Sequence, residues 1–111
     1  MNKKIKVARI PWTIKLVPLV TLLSDDDNEY FGVSKHKEKV IEVAEQGHPN
    51  HVNNVLCHEI IHAIVSEYRI AALHDEEGGH DESAVQQLAV GLNEVLTSLG
   101  IDLVAVIRGK K

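Results

Sequence analysis

A chain of 111 residues has room for one compact domain, 1–111, and little for a second. At 44% hydrophobic and 25% charged it has the composition of a globular protein with a modest core, and a formal net charge of -4 gives no bulk attraction to nucleic-acid phosphates or to an anionic membrane. Cys57 is the sole cysteine, which excludes an internal disulfide and a thiolate zinc cluster.

No signal-peptide h-region follows the basic N-terminus, and no apolar run approaches the roughly 18 residues of a membrane span. A cytoplasmic protein is expected, with neither nucleic acid nor membrane as partner. In chain order, Ile5 and Val7, then Ile14 and Leu16, alternate with lysines, which predicts one extended first strand punctuated by Pro11 or Pro18. A polar loop follows over 24–29. Tyr30 to Ser34 and Lys39 to Val43 read as two short strands joined by the turn His36-Lys37-Glu38.

Pro49 suits the first turn of a helix, and apolar density predicts that helix from Asn50 to Leu73, buried on nearly every side. An acidic, glycine-containing loop over 74–79 precedes a second helix from Asp81 to Leu99, stopped by Gly100. Its inward stripe is expected to be Val85, Leu88, Ala89, Leu92, Val95, Leu96 and Leu99. Residues 101–107 are apolar and fit a final strand or a packed tail. Strands first and helices after favour α+β, with a small antiparallel sheet packed on the two helices.

The first helix carries His58-Glu59-Ile60-Ile61-His62. Four residues is just over one turn, so both imidazoles leave the same face and can converge on one tetrahedral Zn²⁺. Glu59 points elsewhere and can take a proton from a metal-held water. With 7 histidines and 10 glutamates in the chain, such a string arises by chance in about 4 of 100 random chains of this composition. Its setting decides: three ionisable groups interrupt an apolar helix, and buried polar groups are costly without partners.

A third protein ligand is needed. His74, Asp75, Glu76, Glu77, His80, Asp81 and Glu82 are candidates. Stepping back three from Val85 or seven from Ala89 lands on Glu82, a carboxylate on the inward stripe at a helix start. Asp81 is the runner-up, since as N-cap it would already have backbone N–H partners, and His80 is third.

His58-Glu59-x-x-His62 followed by Glu82-x-x-Val85-x-x-Leu88-Ala89 resembles the minimal gluzincin-like metallopeptidase domain of the ImmA/IrrE type, and more closely short phage-encoded metallopeptidase-like proteins. The resemblance spans roughly Phe31 to Leu99. It implies zincin-like architecture, His58, His62 and Glu82 as zinc ligands, Glu59 as general base and a protein or peptide substrate. Gln86 departs from the asparagine often found at that place. No methionine follows residue 1, so the Met-turn of metzincins is impossible.

The expected function is therefore zinc-dependent peptide-bond hydrolysis, with a non-catalytic zinc-stabilised binding module as the alternative and a metal-free structural protein as the third. Tyr68, His74 and His80 are the candidate oxyanion stabilisers. The strand from Val40 to Val43, as a sheet edge, could hold an extended peptide. Asp25-Asp26-Asp27-Asn28 lacks the spacing of a calcium loop, Cys57 is expected to be packing, and His36, His48 and His51 are expected to be surface or capping residues.

Overall fold

The structure, a computed structural model, describes residues 2–18, 31–74 and 79–109. Tyr30, the acidic run 25–28 and the ligand candidates Asp75, Glu76 and Glu77 lie outside them. The fold is α+β: β1 (Asn2–Val7), β2 (Ile10–Val17), β3 (Gly32–Lys35), β4 (Val40–Ala44), α1 (Pro49–Tyr68), a 3₁₀ turn (Ala71–Leu73), α2 (Glu82–Ser98) and α3 (Leu103–Ile107).

The expected first strand is a hairpin. β1 and β2 pair antiparallel around Ala8-Arg9, with Val7 opposite Ile10, and both turn residues have positive φ (52° and 67°). That is the backbone of a two-residue type I′ turn, which Asn-Gly usually occupies. Without glycine or asparagine the turn is hidden in the sequence, and each residue carries about 1–2 kcal/mol of left-handed strain.

The sheet order is β1-β2-β4-β3, and it is mixed where an antiparallel sheet was expected: β2 and β4 run parallel. Parallel pairing needs a return connection of a dozen residues or more, and residues 18–39, β3 among them, provide it. β4 is therefore interior, and the edge on that side is β3, so the edge-strand expectation for Val40 to Val43 is overturned. The β3–β4 hairpin itself stands as expected, with Lys35 opposite Val40.

One face of the sheet packs on α1. Trp12, Ile14 and Leu16 alternate inward along β2, meet Ile41 and Val43 of β4, and close on Val52, Leu56 and Ala63 of α1 with Val104 and Ile107 of α3. Trp12 Nε1–H donates to Glu67 Oε2 (2.9 Å) and Lys39 Nζ to Glu67 Oε1 (2.9 Å), fixing the last turn of α1 against the sheet. α1 starts on Pro49 with His48 as N-cap, its Nδ1 accepting from Asn50 N–H. It ends earlier than expected, at Tyr68. Arg69 turns left-handed (φ 51°), and Ile70 N–H reaches back to Val65 O, a closure usually signalled by glycine.

α2 runs back antiparallel along α1, tied by Asn93 Nδ2–H to Asn50 Oδ1 (3.1 Å). Its buried residues are Val85, Ala89 and Asn93, while Leu88 (46% exposed), Val95 (56%) and Leu99 (68%), expected inward, face solvent. Among the described elements α2 packs chiefly against α1, so only a narrow stripe is covered. The apolar 101–107 segment is a short helix, capped by Asp102. No helix among the described residues is long and apolar enough to cross a membrane.

Candidate metal centre

The ionisable groups of the His58–His62 turn of α1 face two directions. His58 and His62 leave the helix toward the start of α2, while Glu59 points under β3. His58 Nε2 and His62 Nε2 lie 3.1 Å apart. Glu82 Oε2 is 3.4 Å from the first and Glu82 Oε1 is 3.3 Å from the second. Three vertices of a tetrahedron with metal–ligand bonds of 2.0–2.1 Å would be about 3.3–3.4 Å apart. The three side chains could thus hold one metal ion among them.

The other imidazole nitrogens say which way the lone pairs face. His58 Nδ1 is 2.8 Å from Gln86 Oε1, an oxygen that can only accept, so Nδ1 carries the proton and Nε2 is left with a lone pair. His62 Nδ1 meets His80 Nδ1 at 2.6 Å behind the site, and in the tautomer in which His62 is the donor its Nε2 is bare as well. Burial foremost pulls the His62 pKa down, against the raising influence of Glu82, which favours the neutral ligating form. In that tautomer two bare nitrogens and a carboxylate converge, an arrangement that a cation relieves. Partners on the far nitrogen are the usual way in which ligating histidines are oriented.

Glu82 reaches the site because the start of α2 is anchored. Asp81 N–H donates to Leu73 O (2.7 Å), His74 and His80 bridge across the loop ends, and Asp81 caps the helix by accepting from Ala84 N–H (3.0 Å). Asp81, the runner-up ligand, is committed to that cap. His80, the third candidate, stacks on His62 and stands behind it. Glu82 itself is exposed, with 69% of its side chain open to solvent. The two positions from which the stripe was stepped back to Glu82, Val85 and Ala89, are both buried.

Glu59 is 8% exposed and lies beneath β3. Ser34 Oγ–H contacts Glu59 Oε1 at 2.8 Å and the Glu59 carbonyl at 3.0 Å. Burial pushes its carboxyl pKa up, and the Ser34 hydrogen bond opposes that. Gly32 makes the approach possible: a Cβ there would stand 2.6 Å from Val55 Cγ1, 3.1 Å from Glu59 Cγ and 3.3 Å from Glu59 Oε2. Neither Ser34 nor Gly32 was singled out in the sequence.

His36, expected at the surface, instead lies edge-on to Trp12 and His80, with Nδ1 shut off from solvent and unpaired among the described residues. It lines the same cleft as Glu59 and the three ligands. Burial foremost, then His80, lowers its pKa. Of the expected oxyanion candidates, His80 is engaged behind His62, His74 Nδ1 donates to Ile70 O (2.7 Å), and Tyr68, 61% exposed, does not line the cleft. Cys57 is fully buried, with its thiol pKa pushed up to about 11 by burial, as fits packing. No protein-family model matches the chain, and no curated protein or solved structure matches it either.

Proposed function

We propose that the chain is a zinc-dependent peptide-bond hydrolase of cytoplasmic location. The observation that carries this is the juxtaposition of a three-ligand acceptor cluster with a separate buried carboxylate, Glu59, on one wall of one cleft. Two imidazoles and one carboxylate, with room for a fourth group, are the donor set of catalytic zinc sites. His58, His62 and Glu82 would hold the zinc, which would supply Lewis acidity toward a water and a carbonyl.

The remaining steps belong to the chain's own groups. Ser34 fixes Glu59 Oε1, so Glu59 Oε2 is the oxygen left to accept the proton of the attacking water and return it to the leaving amine. A carboxylate whose pKa is raised by burial is a stronger base than an ordinary one and takes up the water proton more readily. His36, on the same cleft, is placed to donate to the developing oxyanion. β3, the edge strand among the described residues, offers backbone groups beside Glu59 to an extended peptide.

The test is zinc-loaded protein on fluorescently quenched casein. Wild type should cleave, and Glu59→Gln should keep its zinc by elemental analysis while losing about 10²–10⁴ of the rate. Cleavage by Glu59→Gln at the wild-type rate contradicts the proposal. Zinc binding with no cleavage by either protein would make the chain a zinc-stabilised module instead.

A further inference from the structure

The cleft does not end at the metal centre. A depression of about 260 Å³ adjoins it, sharing Gly32, His58 and Glu59 with the first, and a third of about 540 Å³ continues from there, sharing His51 and Asn54 with the second. Together they form an open channel along α1 from His58 toward Asn50, with α2 as one wall. Eight helical residues rise about 12 Å, the span of three to four residues of extended peptide.

Asn54 stands where the second and third depressions meet. Its Oδ1 is shut off from solvent and has no hydrogen-bond partner among the described residues. The two asparagines beside it on α1 are committed: Asn53 to Asp102 and the Val104 N–H, Asn50 to Asn93. The Asn54 carbonyl oxygen is not. Rotation about χ2, which is soft for asparagine, turns either its carbonyl or its NH₂ into the channel. An unpaired buried amide costs stability in the free protein and gains most when a ligand's backbone supplies the missing partner.

Farther along, the outer depression is lined by neutral polar groups, two histidines and Val90, with Glu94 the one acid and no lysine or arginine among the described residues. The overall charge of -4 has the same sign. We infer that this channel is a subsite for three to four residues of extended peptide on one side of the metal centre, with Asn54 bonding the peptide backbone and Glu94 selecting a basic side chain. The choice of a peptide rests on the hydrolase proposal, but binding in the channel can be read without zinc or cleavage.

Metal-free ¹⁵N-labelled protein is titrated with Ac-Ala-Ala-Lys-Ala-NH₂ and Ac-Ala-Ala-Glu-Ala-NH₂ up to 10 mM. Expected are shift changes at the Asn54 and Asn93 side-chain amides and at Glu94. The lysine peptide should bind about threefold tighter, as suits an exposed ion pair, and that preference should vanish in Glu94→Gln. Asn54→Leu should bind the lysine peptide about tenfold more weakly and melt no lower than wild type, because it removes an unpaired buried carbonyl oxygen. No shift changes in the channel, equal affinity of Asn54→Leu, or a lowered melting temperature in that variant would each overturn the inference. Casein cleavage with an unresponsive channel would overturn it while leaving the hydrolase intact.

Discussion

α1 takes part in two clusters of polar side chains that are built on opposite principles. Near its N-terminal end every partner is complementary: Asn53 Nδ2–H donates to Asp102 Oδ1 (3.0 Å), Asn53 Oδ1 accepts from Val104 N–H (2.9 Å), and Asn93 Nδ2–H donates to Asn50 Oδ1 (3.1 Å). Two turns later, His58, His62 and Glu82 bring three atoms that can ligate a metal within 3.1–3.4 Å of one another. A closed cluster of that first kind fastens helices. The second kind is incomplete by itself, and its spacing fits a cation. Buried polar residues on one helix therefore divide by whether donors meet acceptors, a distinction that composition and periodicity do not carry.

Variants in the two kinds of cluster should behave differently. Asn53→Ala removes two bonds, one of them to a carboxylate, and leaves Val104 N–H and Asp102 short of partners. It should cost about 3 kcal/mol by urea unfolding. A loss below about 1 kcal/mol would mean that the cluster is not what holds α3. Hydrogen bonds from Lys39 and then from Trp12 hold the Glu67 carboxyl below the usual carboxylate range. Glu67→Gln should cost about 1–2 kcal/mol at neutral pH.

Because the folded pKa of Glu67 is the lower one, its contribution is complete above the ordinary carboxylate value of about 4.3. It fades as pH falls through the folded value. The gap in melting temperature between wild type and Glu67→Gln should accordingly be constant above about pH 5 and close in more acid solution. The smallest effect is expected at the metal centre. In metal-free protein Glu82→Ala should change stability by less than about 0.5 kcal/mol, since Glu82 is exposed and meets only other acceptors. A large loss would place it with the closed clusters.

Spacing made the centre legible where one helix supplies the residues: His58 and His62 follow from i, i+4, and Glu82 from the register of Val85 and Ala89. What joins separate elements was not legible. Gln86 behind His58 reads in the sequence only as a departure from a family pattern. Ser34 and His36 reach the cleft only because β3 is the sheet edge and its turn folds over α1. The β1–β2 turn, Ala8-Arg9, lacks the residues that announce positive φ, and the parallel β2–β4 pair depends on a return of chain that carries no local signal. The outward faces of Leu88, Val95 and Leu99 were misplaced because an apolar stripe tells how much could be buried, not how many neighbours arrive.

The most direct measurement is zinc titration of metal-stripped protein, following bound metal and melting temperature together, in wild type and in His58→Ala/His62→Ala. Wild type should bind one zinc per chain and gain about 2.7 kcal/mol of stability when free zinc is a hundred times the dissociation constant. The double variant should do neither. Equal zinc content and an equal rise in melting temperature in both proteins would contradict a metal site at His58, His62 and Glu82.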